Sequence, residues 1–272
     1  MLLYKYLSPE RLDVLKNKKI RFTQPGDLND PFEFEPYIHE IVGEKDVKKI
    51  VMSKLHQDYV THNVWAKGMP FDAFVLVNFK SYKEFVLKVR DSGKEVFLNR
   101  MFFFFKHFFA VLSLSKIFDN KLMWSHYANS GKGFAIGFDA DSDFFRENVK
   151  IENSRLVKSG CVDYTSSRPN ISMDELELAN LLFKKSHDWS YEQEYRFVKI
   201  IEPDKNEPED CYPIKLFSYP VECVKEIYIG PKATPQFTED VLRALNEGGF
   251  DAKVFKMRVS KTEYRLLEER IR

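Results

Sequence analysis

Between Gly43 and Lys106 the chain carries a block in which charged residues sit between apolar ones at spacings of three and four, Tyr82, Val86 and Val89 among them. That spacing fills one face of a helix and cannot be laid into a sheet, whose faces repeat every second residue. On either side the pattern changes to short apolar runs rich in β-branched and aromatic residues, separated by Gly, Pro, Asn and Asp. A chain that is strand-like towards both ends and helical for a long stretch between them is neither all-α nor all-β. We expect an α+β protein with a mixed or split β-sheet core and flanking helices, a single domain over 1–272 in which 43–106 forms a helical insertion or cap.

Local signals place the elements. Leu2 to Leu7 predicts a strand. Ser8-Pro9-Glu10 then offers a cap, a proline at the first helical position and an acidic first turn, with helix to about Asn17. Ile20 to Thr23 predicts a second strand, and the turn-rich Gln24-Pro25-Gly26-Asp27-Leu28-Asn29-Asp30-Pro31 is expected to be ordered by Asx-type hydrogen bonds. Downstream we expect a strand at Phe109 to Ser115, a helix at Asn120 to Asn129 stopped by Ser130-Gly131, and a strand at Lys132 to Phe138. A helix at Met173 to Lys185 and a strand at Tyr195 to Ile201 follow. Val224 to Ile229, Pro235 to Asn246 and Ala252 to Phe255 close the chain as strand, helix and strand. The run Met101-Phe102-Phe103-Phe104-Phe105 is expected in the core.

Several function classes are disfavoured. With 42 basic and 41 acidic residues, net charge gives no sign of a general polyanion binder, although a local patch stays open. The 3 cysteines, Cys161, Cys211 and Cys223, form no CxxC pair, which argues against a disulfide framework or a zinc ribbon and for a reducing compartment. No signal-peptide pattern and no long apolar span occurs, so the expectation is a cytoplasmic protein without a membrane segment. The histidines show no HxxxH, HxH or HExxH spacing, so no metal site is expected; P-loop, GxGxxG and GxSxG motifs are absent too.

Four segments carry a resemblance: Tyr4-Lys5-Tyr6; Asn29-Asp30-Pro31-Phe32-Glu33; Met123-Trp124-Ser125-His126-Tyr127-Ala128 with Gly131-Lys132-Gly133-Phe134; and Trp189-Ser190-Tyr191-Glu192-Gln193-Glu194-Tyr195-Arg196. In that order and spacing they resemble the bacterial domain-of-unknown-function 2971 family, with Ile227-Tyr228-Ile229-Gly230-Pro231 in support. The resemblance implies a bacterial or phage-related protein and brings no established chemistry.

A weaker resemblance, to ADP-ribosyltransferases, implies chemistry. In those enzymes a glutamate opening a late strand stabilises the oxocarbenium-like ribose, often with a second carboxylate two residues earlier; Glu194 and Glu192 look like that pair. On a strand they would share a face, and two like charges so close raise at least one pKa. Lys5 and Arg21, in an early strand, helix and strand, are similar to the segment that grips NAD, although Lys5 stands where arginine or histidine is usual. Val111-Leu112-Ser113-Leu114-Ser115 is similar to the serine strand, with Leu114 at its centre. Trp124, His126 and Tyr127 on one helix could stack on nicotinamide or a base.

Each residue also has a plainer role. Glu192 and Glu194 fit a half-exposed strand paired to Lys or Arg, with Arg196 the nearest partner. Ser113 and Ser115 fit the polar end of a buried strand, Lys5 and Arg21 surface cations, His126 a hydrogen-bonded structural histidine. Three functions therefore stay open. The first is transfer of ADP-ribose from NAD to a protein or nucleic-acid acceptor by a toxin or anti-phage effector, restrained by an antitoxin or other regulatory partner. The others are a metal-dependent nuclease using Glu192, Glu194 and His126, and a partner-binding module without catalysis.

Overall fold

The computed structural model describes residues 1–35, 37–40, 43–62, 64, 68–147, 150–151, 154–172, 182–202 and 212–272. The chain runs through β1 (Leu2–Leu7), a 3-10 turn (Pro9–Leu12), α1 (Asp13–Asn17), β2 (Lys19–Phe22), β3 (Tyr37–Glu40), α2 (Glu44–Thr61) and α3 (Phe71–Phe108). It continues with β4 (Phe109–Ser115), α4 (Lys121–Tyr127), β5 (Phe134–Asp139), β6 (Lys150–Ile151), β7 (Ser154–Cys161), β8 (Asp163–Thr165) and β9 (Asn170–Ser172). Then come β10 (Lys184–Ser186), a second 3-10 turn (His187–Glu192), β11 (Glu194–Ile201), β12 (Lys215–Ser218), β13 (Val224–Ile229), α5 (Pro235–Gly248), β14 (Lys253–Val259) and β15 (Leu266–Arg270). The chain is α+β, as the pattern predicts.

Internal contacts divide it into two units: Met1–Glu33, Phe104–Ser167 and Leu182–Arg272 form the first, Phe34–Phe103 and Arg168–Leu181 the second. Among the described residues the first is built on a mixed 9-stranded sheet in the order β15-β14-β13-β5-β1-β4-β11-β7-β6, in which β13 and β14 run parallel and the other paired neighbours antiparallel. One face buries Leu112, Phe134, Ile136, Phe138 and Phe197, along with Val241 and Leu245 of α5. Each such side chain contributes about 1.5–3 kcal/mol on leaving water. The other face packs Tyr4 and Tyr6 against Trp124, Tyr228 and Met257. Alternation along β1 explains the division, since Leu3 and Leu7 go to one core while Tyr4 and Tyr6 go to the other.

Local chemistry sets the element ends. Asn120 caps α4, its Oδ1 accepting from the Leu122 and Met123 N–H at 2.8 and 3.2 Å. The helix stops in consecutive left-handed residues, Asn129, Ser130 and Gly131. Beyond them Gly133 lies so close to β1 that a Cβ there would stand 2.0 Å from the Leu7 carbonyl oxygen. Gly230 crosses at the same point, donating to the Gly133 carbonyl at 2.8 Å. Gly133→Ala is therefore expected to cost at least about 1–3 kcal/mol, because the obstacle is backbone that cannot rotate away; a fall in thermal midpoint checks this.

In the second unit, Val47, Val51 and Leu55 of α2 pack with Val86 of α3, Tyr82 donates to Asp58 at 2.6 Å, and β3 pairs with β9 in parallel. The expected stripe ends early, since Val89 is exposed. The Met101–Phe105 run is a correction to the expectation of core. As helix it is wrapped round the circumference, so Phe105 is buried while Phe103 and Phe104 face outwards. Of the helix expected at Met173 to Lys185, residues 173–181 lie outside the described residues, and Lys184–Ser186 is strand, paired with β8. Among the described residues no helix is long and apolar enough to cross a membrane.

Candidate functional site

The sheet is split at its centre. β4 pairs with β11 along its whole length, from Glu194 opposite Ser115 to Ile200 opposite Phe109, whereas with β1 it pairs only at Tyr4 opposite Ser115. Beyond that point the strands part, and β4 is met instead by the end of β2, where Thr23 and Val111 exchange backbone hydrogen bonds at 2.7 and 2.8 Å. The gap would orphan the Ser113 carbonyl, and Lys5 reaches across to fill it, its Nζ donating at 3.0 Å. A cleft of about 250 Å³ opens there, lined by Lys5, Arg21, Ser113, Ser115, Tyr127, Glu192 and Glu194 with others. Residues singled out on five separate stretches of sequence thus meet in one place.

Beneath the cleft lies a buried charge cluster. Arg196, 1% exposed, donates from Nε to Glu194 Oε1 at 2.7 Å, from Nη2 to Glu194 Oε2 at 3.1 Å, from Nη1 to the Leu182 carbonyl at 2.8 Å, and also to Glu33. Lys185 Nζ sits between Glu33, Glu192 and Glu194 at 3.0, 2.7 and 3.3 Å. Tyr127 donates to Glu192 Oε1 at 2.5 Å. Among the described residues three carboxylates meet two cations here, and Lys5 on the cleft side interacts electrostatically with Glu194 and Glu192.

Titration follows from this arrangement. Burial alone would raise the Glu194 carboxyl, but Arg196 and Lys185 outweigh it and hold the group down at about 2. The carboxyl that is raised is Glu33, where burial prevails over the same two cations. At Glu194 the two cations outweigh the neighbouring carboxylates and keep the group ionised. Lys185 and Arg196 are held protonated, the carboxylates overcoming burial. Lys5 goes the other way. Burial lowers it to about 8, with Glu194 and Glu192 opposing only in part. Between about pH 8 and its unfolded value the unfolded chain binds the extra proton, so this residue favours folding more as pH rises through that window.

Glu192 and Glu194 do converge, for a different reason than strand alternation. Glu192 ends the 3-10 turn, Gln193 takes a left-handed conformation at φ 44, and Glu194 starts β11. Ser115 lines the cleft, but its hydroxyl is committed, donating to the Glu192 carbonyl at 2.7 Å and accepting from the Ile117 N–H at 3.2 Å. Arg21 pairs with Asp27, and its Nε is buried with no hydrogen-bond partner among the described residues. Asp30 makes the expected Asx turn, Oδ1 accepting from the Phe32 N–H at 2.9 Å.

The aromatic triplet separates. Four residues apart on α4, Met123 and Tyr127 face the cleft. Trp124 turns into the core, its Nε1 donating to the Phe118 carbonyl at 2.8 Å and its ring meeting Tyr6 edge-on at 5.2 Å. His126 points outwards, Nδ1 lying 3.0 Å from the Tyr191 hydroxyl. Neither lines the cleft. Lys185 and Glu33 are the site residues that sequence reasoning missed. Lys185 was hidden by a helix expectation, while Glu33 stood in a motif read as a turn. Among the described residues no group of three or more His, Cys, Asp or Glu is placed to hold a metal ion.

Fold and site define an α+β protein with a split-sheet cleft above a buried ion cluster. The family model described as Protein of unknown function (DUF2971) matches residues 123–197. That segment runs from α4 into β11 and carries Tyr127, Lys185, Glu192, Glu194 and Arg196. No curated protein and no solved structure matches the chain.

Proposed function

We propose that the cleft binds NAD and that the protein transfers ADP-ribose to a protein or nucleic-acid acceptor. The observation that carries this reading is that Lys5, Ser113 and Glu194 come from three neighbouring strands and line one half-enclosed cleft. Its volume, about 250 Å³, is just under the ~300–1,000 Å³ usual for whole ligands. It fits a ribose with its leaving base, leaving the adenylate at the mouth. Arg21 Nε, a buried donor without a partner among the described residues, and Lys5 are suited to the pyrophosphate.

In this reading the C1′–N bond breaks with its electron pair departing on nicotinamide. The cationic ribose faces Glu194, which is already ionised and held rigid, so nothing reorganises as charge develops. The acceptor's lone pair forms the new bond to C1′ and its proton leaves to solvent. Glu192, held by Tyr127 and Lys185, orients the acceptor. A metal-dependent nuclease would need the oxygens of Glu192 and Glu194 as ligands, and Tyr127, Lys185 and Arg196 already hold them, whereas a cationic ribose needs only the negative charge nearby.

The test is incubation of the purified protein with adenine-labelled NAD and cell lysate, followed by protease and nuclease digestion of the products. Label on a macromolecule supports the reading, and absence of both labelling and NAD binding overturns it. A pH signature accompanies it. With Lys5 lowered to about 8, NAD affinity is expected to fall as pH rises from about 7 to about 9.5, by up to tenfold per unit above the Lys5 value. Lys5→Met should flatten that profile, measured by calorimetric titration.

A further inference from the structure

Behind α4 lies a second cleft, of about 650 Å³, which the proposed transfer does not use. The helix is a wall of both: Met123 and Tyr127 line the Glu194 cleft, while Lys121, Trp124 and Ser125 line the second. The turn joining β14 to β15 and the Pro231-Lys232 segment supply other sides.

The lining is basic although the whole chain is nearly neutral. Lys121, Lys232, Lys261 and Arg265 stand there against one acid, Glu263, which pairs with Arg265 Nε at 2.5 Å. Among the described residues Lys121, Lys232 and Lys261 have no carboxylate partner, so their charge is free to meet an anion. Tyr264 projects from the hairpin tip at 95% exposure, with Lys121 Nζ 5.8 Å from its ring centroid. The tip is a built turn. Ser260 Oγ accepts from the Thr262 and Glu263 N–H groups at 3.3 and 3.2 Å, and the Ser260 N–H donates to the Arg265 carbonyl at 3.1 Å.

An aromatic ring held out in water among unpaired cations suits a ligand that offers flat π-faces and regularly spaced negative charge together. We propose that this cleft binds single-stranded nucleic acid, phosphates resting on Lys121, Lys232 and Lys261 and a base stacking on Tyr264. A duplex keeps its bases stacked on each other and cannot use Tyr264. An acidic peptide would use the lysines alone. The proposal does not depend on NAD chemistry.

It is tested without NAD, by fluorescence anisotropy of labelled oligothymidylate and oligouridylate with the full chain. Three phosphate contacts predict a slope of log affinity against log salt near −2. Lys232→Gln with Lys261→Gln should flatten that slope by about 1.4, and Tyr264→Ala should weaken binding about tenfold or more without changing it. All three positions are exposed, so thermal unfolding should not move. The proposal is overturned by no binding, by a slope unchanged in the lysine variant, by an inert Tyr264→Ala, or by duplex DNA or polyglutamate competing as well as the single strand.

Discussion

Arg196→Met is expected to destabilise the protein by about 3–5 kcal/mol, measured as a lowered urea midpoint at neutral pH. The guanidinium is buried, and methionine fills most of its volume, so lost packing explains little. What is lost is the counter-charge. Glu194 would keep only Lys185, and Glu33 would keep the same single cation, which Glu192 also shares. Against a typical total of about 5–15 kcal/mol, such a loss is severe. Glu33→Gln added to Arg196→Met should restore part of it, because burial has already raised the Glu33 carboxyl towards neutrality. Acid gives a second readout. Glu194 titrates near 2 in the folded protein and near 4.5 when unfolded, so its contribution is complete above about 4.5 and disappears as pH falls towards 2. Wild type should lose stability across that window and Arg196→Met much less. Equal acid sensitivity in the two proteins would mean that Arg196 is not what depresses Glu194.

On the proposed transfer, Glu194→Gln is expected to slow release of nicotinamide from NAD by about 10²–10³-fold while leaving NAD affinity within a few-fold of wild type. The amide keeps an oxygen acceptor for Arg196 Nε but no charge to meet the cationic ribose. The same substitution takes a charge out of the buried cluster and lowers stability as well, so both quantities are measured below the variant's melting point; a purely structural role would appear as weakened binding with the rate per bound NAD unchanged. Glu192→Gln separates the two halves of the chemistry: nicotinamide release to water should persist while transfer to the macromolecular acceptor drops. Stopped-time assays of both products, run beside a thermal melt of each variant, distinguish these outcomes.

The strands of the site were legible because their signals are local. Short apolar runs rich in aromatic and branched residues mark β1, β4 and β11, and Asn120 marks the start of α4. Arg196 could be named as a partner of Glu194 because residues two apart on a strand share a face. Lys185 could not be, since its partners depend on the pairing of β10 with β8 and on a left-handed Gln193 that turns Glu192 round. Neither carries a local mark. The split between β1 and β4 was equally invisible, because strand order is set by long-range pairing. Trp124 was misplaced for a simpler reason: residues 124, 126 and 127 are spread round the helix and meet different neighbours, and the sequence does not say which of them faces the cleft.

The split sheet also bears on when the cleft can exist at all. The hydrogen bond from Lys5 to Ser113 spans 108 residues and the ion pair from Glu33 to Arg196 spans 163. Closing loops that long is entropically slow compared with forming the helices in between. During synthesis the early strands emerge from the ribosome well before β11, so an incomplete chain carries half a cleft and an uncompensated Glu33. The cleft cannot assemble before Arg196 has been made, and any truncation upstream of Arg196 removes it entirely.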